Sequence, residues 1–198
     1  MKFARILCLA AAIGSCGHAC ATPGAGTGKT KIALSVFNES GQPLPLPAPG
    51  AAATVLIFVT PECPMANRYA PDLRALVDAY PTVRFYRVYA SPESTAADAA
   101  KHEEAYPFHC AALLDADQSI ARAVEATRTP EIAVLDAQGV LRYRGAVDDR
   151  YTDLGKYRQT ASRHYLRDAL DAVLAGKPVP TERSEAVGCY IPLKDAKQ

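Results

Sequence analysis

The sequence predicts an α/β fold in which a central mixed sheet carries helices on both faces. Three observations point to it. Residues 54–59 (Thr-Val-Leu-Ile-Phe-Val) form an unbroken β-branched and apolar run, the pattern of a strand buried on both faces. Strand-like and helix-like segments then alternate as far as residue 126, which implies parallel pairing with crossover helices. Residues 131–135 and 140–143, joined by Asp136-Ala137-Gln138-Gly139, form a late hairpin that adds antiparallel strands.

The chain begins with a segment that reads as an export signal over residues 1–21. Lys2 and Arg5 give a basic start, residues 6–14 a short apolar run, and Ala19-Cys20-Ala21 small residues before a cleavage point. The run falls short of the roughly 20 apolar residues that a bilayer span needs. A second cut is open: Ile13-Gly14-Ser15-Cys16 resembles a lipobox, and cleavage before Cys16 would leave a lipidated, membrane-tethered N-terminus. Either cut sends the protein to the periplasm or cell envelope, where disulfides persist.

Residues 22–30 are glycine-rich and read as a flexible linker. Gly28-Lys29-Thr30 is not a phosphate loop, because position 23 is proline and no strand precedes it. Residues 32–37 alternate as a strand, and Asn38-Glu39-Ser40-Gly41 is a turn. Residues 42–50 hold four prolines and read as an extended surface connection.

After the buried strand, Leu73, Leu76, Val77 and Tyr80 recur at helical spacing until Pro81 closes the helix. Residues 83–89 are a strand. Residues 91–106 are a helix with Ser94 or Thr95 as N-cap. A short strand at 111–114 and a short helix at 118–126 follow. The last helix, 165–174, has Leu166, Leu170 and Leu174 on one stripe, and Gly176 ends it. The folded domain therefore spans 31–180, and 181–198 is a tail without periodicity that carries Cys189.

Bulk composition agrees with one globular domain: 198 residues, 49% hydrophobic and 22% charged. The net charge of +1 gives no electrostatic reason to expect a nucleic-acid or anionic-membrane partner. Of six cysteines, Cys8 leaves with the signal, and Cys16 and Cys20 depend on the cut. Cys63, Cys110 and Cys189 remain, so at most one pair forms inside the domain.

The element order resembles the thioredoxin superfamily over residues 54–174. Cys63-Pro64-Met65-Ala66-Asn67-Arg68-Tyr69-Ala70-Pro71 resembles the redoxin and alkyl hydroperoxide reductase–thiol-specific antioxidant-like branch of exported bacterial proteins. So do residues 143–151 (Tyr-Arg-Gly-Ala-Val-Asp-Asp-Arg-Tyr) and the closing Gly188-Cys189-Tyr190-Ile191. The resemblance implies redox chemistry at Cys63, with a protein or small-molecule thiol or disulfide, or a peroxide, as partner. It also implies that Thr129-Pro130 is a cis-proline loop able to pair with an extended substrate.

The residues support part of this directly. Cys63 lies where a strand hands over to a helix, at what reads as an exposed strand end. A helix N-terminus stabilises a thiolate there, Pro64 suits the first helical turn, and Glu62 opposes the anion. An inert buried cysteine is the alternative. Position 66, where thioredoxins have their second cysteine, is alanine, so Cys63 needs another resolving thiol. Cys189 can fold back from the tail, since loop-closure cost grows slowly with length. Cys110 opens a strand beyond a helix and reads as structural. An external thiol reductant would complete a cycle.

Two other readings stay open. Thr60-Pro61-Glu62-Cys63 matches half of the peroxiredoxin motif, with Leu56 where that motif has proline. Arg128 precedes the Thr-Pro, close to where peroxiredoxins place an arginine on the thiolate. Thr60, Cys63 and Arg128 would then form a peroxidase site. Alternatively the domain is a non-catalytic binding module, which the absent cysteine at 66 favours.

No metal or cofactor is expected, because His102, His109 and Cys110 lack a ligand spacing. His102 reads as a solvated helix residue. Asp148-Asp149-Arg150 reads as a salt-bridged turn. Tyr86, Tyr89, Tyr143 and Tyr151 read as packing residues with hydroxyls near water.

Overall fold

A computed structural model describes residues 30–194. The export signal, both of its cuts and most of the linker lie outside the described residues. Chain order gives strands β1 (Leu34–Phe37), β2 (Pro43–Leu46) and β3 (Ala53–Phe58), then helix α1 (Pro64–Ala79). There follow β4 (Val83–Tyr89), α2 (Ala96–Ala105), β5 (Ala111–Leu114), α3 (Ser119–Val124), β6 (Arg128–Thr129), β7 (Glu131–Asp136) and β8 (Leu141–Gly145). The chain closes with β9 (Tyr151–Asp153), β10 (Lys156–Tyr157), α4 (Tyr165–Leu174) and β11 (Cys189–Tyr190).

Five strands form the central sheet in the order β5-β4-β3-β7-β8. β3, β4 and β5 run parallel, and β7 and β8 join antiparallel. β3 sits in the middle and is buried on both faces, as its unbroken apolar run requires. Its alternation divides the core. Val55 and Ile57 face a cluster with Leu73 of α1, Ala99 of α2 and Leu166 of α4. Leu56 and Phe58 face the other way, against Ile120 and Val124 of α3 and Val36 and Leu46 of the β1–β2 ribbon. At about 1.5–3 kcal/mol per fully buried large apolar side chain, β3 holds both layers to one plane.

The proline-rich 42–50 segment is therefore not a surface connection. Leu34 to Phe37 pair antiparallel with Leu46 to Pro43, and the ribbon drops Leu46 and Ala48 into the core. A two-stranded ribbon has free edges, so the missing proline N–H groups cost no ladder bonds there.

His102 is also not solvated. It is 3% exposed and shares the inner face of α2 with Ala99, while Lys101 and Glu104 point outward. Its Nδ1 lies 2.8 Å from Tyr89 Oη, and its Nε2 lies 2.8 Å from Asn67 Oδ1. Asn67 Nδ2 donates to Pro61 O at 2.8 Å, which fixes Oδ1 as the acceptor. A neutral imidazole protonated on Nε2 satisfies the whole chain. Tyr89 Oη accepts from Arg87 at 2.9 Å, so this hydroxyl is turned away from water. The Tyr143 hydroxyl is likewise internal, on Ala146 O and Ser184 Oγ.

Burial, with the Arg87 charge added, holds His102 down at about 4. Between about pH 6.5 and 4 the unfolded chain binds a proton there that the folded chain refuses. This contribution to stability is complete above 6.5 and is lost as pH falls, to a total of about 3 kcal/mol. Denaturant titrations across that window should show the loss in the wild type and a flatter profile in His102→Gln. Parallel profiles would contradict the assignment.

Candidate functional site

Cys63 is the N-cap residue of α1, with Pro64 at the first helical position. Its N–H donates to Thr60 O at 3.1 Å, a turn that points the side chain inward. The sulfur is 0% exposed, so the expected exposed strand end is closed over. What covers it is the tail. β11 pairs antiparallel with β6, placing Cys189 opposite Thr129 and Tyr190 opposite Arg128. Cys189 thereby stands within hydrogen-bonding reach of Cys63. Both are free thiols, as is Cys110.

The tail is held on both sides of Cys189. Upstream, Ser184 Oγ accepts from Ala146 N at 3.0 Å, and Ser184 N donates to Arg144 O at 3.1 Å. Downstream, Ile191 is buried and its N–H donates to Thr127 O at 2.9 Å. Gln118 then donates to Pro192 O at 2.9 Å and accepts from Lys194 N at 2.7 Å. Gly188 is required for the close approach, because a Cβ there would fall on the Thr129 carbonyl.

Thr129 and Pro130 are joined by a cis peptide bond. Glu131 fixes the loop: its buried Oε2 accepts from Thr127 N at 2.8 Å and Arg128 N at 3.0 Å. Cys63 Sγ donates to Thr129 O at 2.9 Å, while the buried Thr129 hydroxyl has no hydrogen-bond partner among the described residues. Loss of the thiol proton gives that hydroxyl an acceptor.

Burial raises the Cys63 thiol, but the donors around the sulfur outweigh it. The Thr129 hydroxyl, the Ala66 N–H and the N–H and thiol of Cys189 together bring it below the ordinary value. Cys189 moves the other way. Burial, and then the neighbouring Cys63, push it up to about 11. The first proton to leave the pair is therefore that of Cys63. Thr129→Val removes one donor and should raise the Cys63 titration midpoint, read from ultraviolet thiolate absorbance. An unchanged midpoint would remove Thr129 from the site.

The remaining sequence candidates fall elsewhere. Arg128 lies over the Tyr190 ring, 3.4 Å from its centroid, and reaches Gly188 O at 3.4 Å. It supports the tail. Thr60 meets Cys63 through its carbonyl. Cys110 lies apart from the pair, beside Arg87, and burial pushes its thiol to about 12. Asp148, Asp149 and Arg150 extend beyond a local turn, because Arg150 also bridges to Asp72 of α1 at 2.8 Å. Among the described residues, no three His, Cys, Asp or Glu side chains are grouped to hold a metal ion.

Comparison with known proteins agrees with this architecture. The redoxin family profile matches residues 30–160, from the first strand through the β9–β10 hairpin. The chain belongs to the redoxin family. Two solved structures share its thioredoxin-like fold at a TM-score of 0.72. One is an uncharacterized conserved protein from Geobacillus kaustophilus, 27% identical, covering 85% of this chain and 93% of that one. The other is a hypothetical protein from Sinorhizobium meliloti, 26% identical, covering 85% and 94%. A secreted Mycobacterium tuberculosis disulfide oxidoreductase homologous to E. coli DsbE is 21% identical with a TM-score of 0.50, over 72% of this chain and 95% of its own. No curated protein matches the chain. The redoxin match ends at residue 160, before the segment that bears Cys189.

Proposed function

We propose that this redoxin is an exported thiol–disulfide oxidoreductase. Cys63 supplies the lowered thiolate, and Cys189 is its partner in a reversible internal disulfide. The observation that carries the reading is the β6–β11 pairing, which seats a second thiol against Cys63 where Ala66 provides none. Thiol–disulfide exchange needs a lowered thiolate, an adjacent second sulfur and no cofactor. The leader over residues 1–21 supports export to the periplasm or envelope, and an external thiol or disulfide closes the cycle. A redox titration against dithiothreitol buffers tests this. The expected result is one two-electron transition in the wild type and none in Cys189→Ser.

The peroxidase reading has less behind it. Arg128 is engaged with Tyr190 and Gly188, and solvent does not reach Cys63. In stopped-flow mixing of the reduced protein with hydrogen peroxide, the expected rate is no faster than that of a free thiol. A rate well above it would restore Thr60, Cys63 and Arg128 as a peroxide site.

A further inference from the structure

Thiol–disulfide exchange is a displacement in line. The attacking sulfur approaches along the extension of the bond that breaks, and access decides which sulfur is attacked. Attack on Cys63 would have to come from its side away from Cys189. No side of Cys63 is open, because the residue is 0% exposed and packed under the Thr129 carbonyl and the first turn of α1. Attack on Cys189 comes from its side away from Cys63. Cys189 is only partly buried, and its neighbour Tyr190 is 71% exposed. The anchors at Ser184, Ile191 and Gln118 keep this arrangement in place.

We propose that partner thiols exchange with this protein through the Cys189 sulfur, with Cys63 as the leaving group when the internal disulfide opens. The inference rests on the Cys63–Cys189 exchange reading and adds its direction. In the oxidised protein, a partner thiolate bonds to Cys189 Sγ. The Cys63–Cys189 bond breaks, and its electron pair stays on Cys63. A second thiol of the same dithiol partner loses its proton to water and attacks the partner sulfur. Cys189 leaves, and Cys189 and Cys63 each take up a proton. The partner dithiol is oxidised to a disulfide, and the protein disulfide is reduced to two thiols. In reverse, the Cys189 thiolate first opens the partner disulfide, one partner sulfur leaving and taking up a proton, and Cys63 then attacks Cys189 and frees the second partner sulfur. The donors around Cys63 favour both roles, since a lower thiol leaves faster.

The test begins with protein whose internal disulfide has been verified by mass; failure to form that bond counts against the proposed function alone. Oxidised protein is mixed with limiting reduced glutathione, quenched at short times with N-ethylmaleimide, and mapped. The expected product carries glutathione on Cys189 and maleimide on Cys63, in at least tenfold excess over the reverse. Glutathione on Cys63, or an even split, overturns the proposal. Single-turnover reduction rates give a second reading if the adduct is short-lived. Thr129→Val should slow opening at least threefold, and Thr129→Ser should restore it. Equal rates in all three proteins would mean that Cys63 is not the leaving group.

Discussion

Cys63→Ser is expected to lower thiol–disulfide exchange turnover by at least about a thousandfold at neutral pH. The mixed disulfide that a partner leaves on Cys189 then has no internal thiol to open it, and release falls to an external thiol. A thiol held against its target acts at an effective concentration of about 10⁵ M or more, far above that of any free thiol. Serine keeps a donor for Thr129 O, so the thermal midpoint should stay close to that of the wild type. The comparison is turnover of a small disulfide by wild type, Cys63→Ser and Cys189→Ser. Cys63→Ser at near-wild-type rate would exclude Cys63 from the chemistry and favour a binding module.

Gly188→Ala is expected to have the second largest effect, although it touches neither sulfur. Its Cβ would fall on the Thr129 carbonyl, with the carbonyl carbon at 2.6 Å and Pro130 N at 3.2 Å. These are backbone atoms in a loop clamped by Glu131, so the tail must give way. Misplacing a reacting group by about 1 Å costs about a hundredfold, and the internal disulfide should form that much more slowly. The cost in stability is about 1–3 kcal/mol, as for other overpacked sites. Rapid quench of oxidation gives the rate. A wild-type rate would show that β6–β11 pairing does not set the sulfur geometry.

Much of this architecture was readable from periodicity. The strands at 83–89 and 111–114 and the helix at 165–174 coincide with β4, β5 and α4, because each carries one clean apolar pattern bounded by turn residues. Thr95 proves to be the N-cap of α2, in a capping box with Asp98. The 42–50 segment was misread because its prolines hide the alternation of Leu44 and Leu46. His102 was misread because three charged neighbours obscure a narrow buried face. Its chain runs through Asn67 to Pro61, in the turn that leads to Cys63.

The site was legible in its parts. Cys63 stands out at a strand-to-helix junction, and Cys189 is a candidate by count. What joins them is a two-residue pairing far along the chain, which no local pattern encodes. Gln118 and Glu131 look ordinary in sequence, yet they seat the tail and hold the loop beneath it. Arg128 shows the converse. Its position next to Thr129 suggested a role on the sulfur, but Tyr190 offers its ring face and takes the guanidinium.

Peptide mapping of the oxidised protein by mass, without prior reduction, tests the central claim most directly. One linked pair is expected, Cys63 with Cys189, together with a free Cys110. Oxidised Cys63 alongside a free Cys189 would contradict it.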